Sequence, residues 1–340
     1  MKVFFHYFNF LFVLICAFNA IIYGEQAVSL YFLLGVFQLL SGLIIFFNKI
    51  YHLKHFKEII IYWILVLIYF LIVLNLIPNQ IVKILIIPIL IATYHCYCTY
   101  KLLKRPFLTA EWNDLALINY EIDPKILENY IPKGTAIDLW NDKCYISLIG
   151  FMFENVKVLG IKIPFHVNFE EVNLRFYVKR LEHNKWKRGV VFIKEIVPKK
   201  AISVVANTLY KEHYETLKMR HSKTENENSK VFRYEWQKDK KWNAITMETA
   251  KGPFPIAPGS EAEFITEHYF GYTQYSKNKT IEYEVTHPRW EQLEVINYTI
   301  DVDFESIYGS DFAFMQHLKP VSVFLALGSK ITIEGKKIIK

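Results

Sequence analysis

The chain has 340 residues, a formal charge of +7, a hydrophobic fraction of 52% and four cysteines. That length is sufficient for two structural units. Four scattered cysteines exclude a disulfide-stapled scaffold and fit a reducing compartment. A modest basic excess without a recognisable motif argues against a nucleic-acid partner.

Residues 3–23, 27–47, 59–77 and 81–100 are apolar runs, each near the roughly 20 residues that a helix needs to cross a bilayer core. They predict a four-helix transmembrane segment over residues 1–100, with the lipid bilayer as its partner. A cleaved leader is the weaker reading of the first run, because no small-x-small site follows it and three more runs do. Lys49, Lys54 and Lys57 fall in the second connection, and Lys101, Lys104 and Arg105 follow the fourth run. Basic loops therefore alternate, which places both termini in the cytoplasm. No carboxylate lies mid-run, which favours an anchor over a transporter.

Residues 101–106 form a linker, and the pattern becomes strand-like from 107 to 340. Residues 111–120 alternate in the manner of a strand. Asp123-Pro124 opens a short helix, and residues 138–153 read as a hairpin-like strand pair around Asn141-Asp142-Lys143. In residues 171–180, Val172, Leu174, Phe176 and Val178 face one side while Asn173, Arg175, Tyr177 and Lys179 face the other. Residues 189–197 are a further strand, and 201–210 have one apolar helical face. Residues 221–230 read as a polar loop. Residues 232–236, 244–248, 280–285 and 292–300 read as strands, and 262–267 as a strand or short helix. The sum is a mostly antiparallel α+β domain with a large sheet.

Several stretches carry a family pattern: NYEIDPKILENYIPKGTAIDLW (119–140), YISLIGFMF (145–153), IPFHVNFEEVNLRFYV (163–178), RGVVFIKEIVPKKAI (188–202), PGSEAEFITEHYFGYT (258–273), HPRW (287–290) and LGSKITIEGKKI (327–338). In that order they resemble the YqjF-like family of conserved bacterial proteins, which is similar in fold to acetoacetate decarboxylase. The resemblance implies a β-cone or barrel with flanking helices around a deep pocket. The apolar N-terminal third lies outside it. Together with the loop charges, it implies a multi-pass protein of the bacterial inner membrane with the folded domain on the cytoplasmic side.

Acetoacetate decarboxylase forms a Schiff base through the first lysine of a Pro-Lys-Lys triplet, a nucleophile activated by its desolvated, cationic surroundings. Pro198-Lys199-Lys200 stands at the comparable place, so the resemblance gives Lys199 that catalytic role and puts Lys200 beside it. Such a lysine must be neutral near pH 7, several units below its ordinary pKa of about 10.4. The structural alternative is an ordinary basic pair at the end of a strand. A second set is the polar row of Glu171 and Arg175 with His166 nearby. Facing a cavity, Arg175 would hold a carboxylate or hydroxyl and Glu171 would fix the guanidinium. A closed barrel has an interior that only one row can line, which favours the cavity. A third set is Glu267, His268 and His287, whose spacing matches no metal motif, so no metal is expected. No dinucleotide, P-loop or nucleophile-elbow motif occurs, and no cofactor is expected.

Three functions follow. The first is a domain that binds a small anionic or carbonyl-containing ligand. The second is a Schiff-base lyase or hydrolase acting on a keto acid through Lys199. The third is a structural partner in a membrane complex. A homo-oligomer is compatible with each.

Overall fold

A computed structural model describes residues 2–23, 28–47, 56–73, 86–103 and 106–340. The chain divides into two compact units, Met1–Lys104 and Arg105–Lys340.

The first unit holds α1 (Lys2–Tyr23), α2 (Val28–Phe47), α3 (Phe56–Ile68) and α4 (Ile87–Leu103), and a π-helical turn at Tyr69–Val73 continues α3. The expected four membrane spans are corrected here: among the described residues, no helix is long and apolar enough to cross a membrane. Within the described residues α3 and α4 span 13 and 17 residues, and α3 reaches 18 with its π-helical turn, fewer than the roughly 20 needed. The two longer helices interrupt their apolar runs with His6, Asn9 and Asn19, and with Gln38 and Ser41. Several of these polar groups meet inside the unit. Asn9 Nδ2 approaches His95 Nδ1 at 3.0 Å, Gln38 Nε2 donates to Asn9 Oδ1 at 2.8 Å, and Ser41 Oγ lies 3.1 Å from His95 Nε2. Residues 74–77, 81–85 and the basic residues Lys49, Lys54, Lys104 and Arg105 lie outside the described residues.

The second unit is built on strands β1 (Leu108–Glu121), β2 (Ala136–Ile137), β3 (Tyr145–Val158), β4 (Phe169–Glu182), β5 (Lys185–Val197), β6 (Tyr214–Thr216), β7 (Lys218–Glu225) and β8 (Ser229–Lys238). They continue with β9 (Lys241–Ala250), β10 (Phe254–Pro255), β11 (Phe270–Ser276), β12 (Lys279–Thr286), β13 (Glu291–Leu293), β14 (Val295–Asp301), β15 (Ser322–Ile333) and β16 (Lys337–Ile339). Three helices punctuate them: α5 (Lys200–Leu209), α6 (Glu261–Thr266) and α7 (Phe304–Tyr308). Single-turn signals act as expected. Asp123 caps a 3-10 helix over Pro124–Tyr130 by accepting from the Lys125 amide, and Ser260 caps α6 by accepting from Glu263.

Strands β15, β1, β3, β4, β5, β11 and β12 pair in succession, and β12 pairs back onto β15 through Val285–Ile333 and Thr286–Thr332. The sheet therefore closes on itself and removes its free edges. All of these pairings are antiparallel except β5–β11. Alternation along each strand separates two cores. Val172, Leu174, Phe176 and Val178 point outward and pack with Phe232 and Trp236 of the four-stranded sheet β14–β9–β8–β7. Leu117, Ile149, Phe151 and Tyr177 point inward and meet Trp290. Each fully buried large apolar side chain contributes about 1.5–3 kcal/mol, so this double packing fixes the register of β4.

Three local expectations change. Residues 218–225 form β7 rather than a loop, leaving only 226–228 to turn the chain. It is an edge strand exposed along nearly its whole length, so alternation left no mark on its sequence. Residues 292–300 split into β13 and β14, which belong to different sheets. Before Tyr145 there is only a tight turn at Asn141 and Asp142, both with positive φ, closed by the Trp140–Lys143 bridge.

Candidate functional site

The inward row of β4 carries Glu171, Asn173, Arg175 and Tyr177 into the barrel. A bulge adds a further carboxyl. Register along β4–β5 steps from Leu174–Lys194 to Arg175–Phe192. Strict alternation from Val190 and Phe192 would bring Lys194 inside. The bulge reverses this and brings Glu195 inward opposite Asn173, while Lys194 turns out to Glu215. A third carboxyl comes from the segment after α5. The backbone at Lys211 adopts φ 60°, and the next residue, Glu212, is buried.

Two cavities lie here and share Phe153, Glu171, Tyr214, Tyr283 and Ile333 in their walls. The larger, about 200 Å³, is mostly apolar and is bounded by Val156, Phe169 and the α5 residues Ile202, Val205 and Ala206. The smaller, about 60 Å³, is the more polar of the two, with Asn173, Arg175, Glu195, His268 and His287 among aromatic and aliphatic side chains in its lining.

Hydrogen bonds satisfy part of this polar wall. Glu171 accepts from Asn173 Nδ2 at 3.1 Å and from Tyr214 Oη at 3.1 Å. Glu212 accepts from Thr273 Oγ1 at 2.5 Å and from Tyr283 Oη at 2.9 Å, both on one oxygen. Arg175 donates to the Ile265 carbonyl at 3.3 Å and stands over the Tyr177 ring. Other atoms remain unpartnered: Glu195 Oε2, Glu212 Oε2, Asn173 Oδ1, His268 Nδ1, Arg175 Nε and Trp112 Nε1. A buried polar atom without a partner costs about 1–3 kcal/mol, so this concentration is a feature of the site that needs an explanation.

Electrostatics follow burial. Glu171 and Glu195 are each 2% exposed and Glu212 is 6% exposed. Loss of water raises all three carboxyl pKa values, Glu171 and Glu212 to about 7, and their mutual repulsion adds to the rise at Glu171 and Glu195. His268 is held the other way. Burial drives its imidazole down to about 4 despite the opposing pull of Asp138. It is neutral at pH 7, with Nε2 donating to Asp138 Oδ2 at 3.2 Å and Nδ1 left as an acceptor. Burial opposes ionisation of Asp138, but hydrogen bonds from His268 and Arg188 outweigh it and keep the carboxyl below its usual range. Burial also lowers the His287 pKa.

The structure brings together Glu171, Arg175, His268 and His287, while His166 borders the apolar cavity. It leaves Lys199, Lys200 and Glu267 outside both linings. Pro198 follows the last residue of β5, and Lys199 is the N-cap of α5 with an extended backbone, so the pair belongs to a strand-to-helix corner. Glu267 instead accepts from the Tyr269 hydroxyl and faces Arg289. Neither cavity has a lysine in its lining. Glu195, Glu212, Tyr214 and Tyr283 do not stand out in the sequence. At the end of β5 only the bulge, and nothing in the residue types, distinguishes Glu195 from Lys194 as the inward side chain.

Residues 109–330 match the DUF2071 family, described as an uncharacterized conserved protein. The uncharacterized protein YqjF of Bacillus subtilis (strain 168) is 27% identical over 180 residues, which is 53% of this chain and 72% of that one. Among solved structures, the enduracididine biosynthesis enzyme MppR with HEPES bound gives a TM-score of 0.51 at 10% identity, covering 70% of this chain and 90% of that one. Its pyruvate complex gives 0.50 at 10% identity, covering 69% and 91%. Acetoacetate decarboxylase from Legionella pneumophila subsp. pneumophila str. Philadelphia 1 gives 0.47 at 11% identity, covering 69% and 87%. At such identities the structural likeness concerns the fold alone.

Proposed function

This chain belongs to the DUF2071 family and is similar in fold to the enduracididine biosynthesis enzyme MppR, and from that premise we propose that its barrel binds one small amphipathic molecule. The observation that carries this reading is the junction of the two cavities. An apolar space of about 200 Å³ shares Glu171, Tyr214 and Tyr283 with a more polar space of about 60 Å³. Ligand sites combine such an apolar body with a few convergent polar groups. The apolar part of the ligand packs against Phe169 and α5, and its polar end reaches the carboxyls.

Imine chemistry receives no support from this geometry, since Lys199 is in neither lining. The barrel acts as a binding domain, with the buried acids as its recognition groups.

A thermal-shift panel on the full chain tests it, using hexanol, hexylamine and hexanoate as probes. At least one raises the melting temperature saturably, by the mass-action effect of binding to the folded state. Ala206→Phe, which fills the apolar cavity, removes that shift while the unliganded variant still melts cooperatively. An unchanged shift in the variant, or no shift with any probe, counts against the proposal.

A further inference from the structure

We infer that the polar end of the ligand is a cationic amine, which rests on the barrel being a binding site. The unpartnered atoms of the wall define what it still lacks. Four of them are acceptors once the acids are ionised: Glu195 Oε2, Glu212 Oε2, Asn173 Oδ1 and His268 Nδ1. The first two belong to carboxyls, and the third and fourth are independent of them. His268 Nδ1 is an acceptor because Nε2 carries the proton donated to Asp138. Two unpartnered atoms are donors, Arg175 Nε and Trp112 Nε1. Acceptors are therefore in excess at the polar end.

Charge points the same way. Three carboxyls from β4, β5 and the segment after α5 face the joined cavities, against the single guanidinium of Arg175. That guanidinium is already engaged with the Ile265 carbonyl and the Tyr177 ring. A carboxylate ligand would bring more acceptors to a wall that already has an excess of them, and its charge would oppose ionisation of all three carboxyls. An alkylammonium brings three donors and one positive charge, and donor geometry of that kind suits carboxylate oxygens. The apolar cavity takes its alkyl portion. This reverses the anionic ligand expected when Arg175 is considered without Glu195 and Glu212.

Calorimetric titration of the full chain with hexylamine, hexanol and hexanoate decides the matter. The amine binds at least tenfold more tightly than the alcohol, and the acid binds most weakly. Glu195→Gln and Glu212→Gln each reduce amine affinity by a larger factor than hexanol affinity. Equal or tighter binding of hexanoate overturns the inference while leaving a binding barrel in place. Binding of none of the three removes the barrel reading itself, and the inference with it.

Discussion

Replacing Glu212 by glutamine is the most informative single change to the unliganded protein. The glutamine keeps the side-chain volume and still offers Thr273 and Tyr283 a carbonyl oxygen. It removes the ionisation. In the folded chain, burial raises the Glu212 pKa from 4.5 to about 7. Between those values the folded state holds a proton that the unfolded state has released. Stability from this group is thus fully present below about pH 4.5 and is lost as pH rises through about 7. At roughly 1.4 kcal/mol per unit, the displacement corresponds to about 3 kcal/mol. Wild type and Glu212→Gln should therefore match closely at about pH 4, and the variant should be more stable by up to about 3 kcal/mol at about pH 8.5. The gain will be smaller where Glu171 and Glu195 take up the released proton. Urea unfolding followed by tryptophan fluorescence measures it, since six of the seven tryptophans lie beyond residue 106. Parallel stability curves for the two proteins across that range would refute the desolvation argument.

Three further outcomes are expected. An added Cβ at Gly271 would stand 2.1 Å from the Tyr283 ring, so Gly271→Ala should displace that tyrosine from Glu212 and lower stability by about 1–3 kcal/mol; a neutral melting temperature would show that the close approach is not maintained. Borohydride trapping with acetoacetate, read by intact mass, should leave Lys199 unmodified, and an adduct there that disappears in Lys199→Arg would reinstate imine chemistry. Hexylamine affinity should rise as pH increases through about 7, because the ammonium pairs with Glu171 and Glu212 only once they release their protons. His268 and His287, whose pKa values burial lowers, do not gain charge over that interval. Calorimetry in buffers of different ionisation heat should detect the released proton, and a flat pH profile would contradict this.

The legible part of the site is the part written in alternation. Residues 171–179 of β4 display two clean rows, so Glu171 and Arg175 can be placed inside a closed sheet from the sequence. Glu195 is hidden by one inserted residue. The bulge reverses the parity of β5, and nothing in Phe-Ile-Lys-Glu announces which residue of Lys194-Glu195 turns inward. Glu212 is hidden for another reason: Lys-Glu-His-Tyr is polar by composition, and only the turn at Lys211 and the contacts with Thr273 and Tyr283 bury it. The N-terminal runs mislead in the opposite direction. Apolar composition sets the expected spans, whereas the described helices have their own lengths and gather Asn9, Gln38 and His95 into a buried polar network. Pro198-Lys199-Lys200 shows that a motif can persist at a corner whose side chains are not in the cavity lining.

The most direct measurement is a crystal structure of the full chain soaked with ω-bromohexylamine and recorded at the bromine absorption edge. A binding barrel with an amine-selective end predicts one anomalous peak between Phe169 and Val205, with the amine nitrogen within hydrogen-bond reach of Glu212 or Glu195. Bromine found only on the outer surface, with both cavities lacking ligand density, would contradict it.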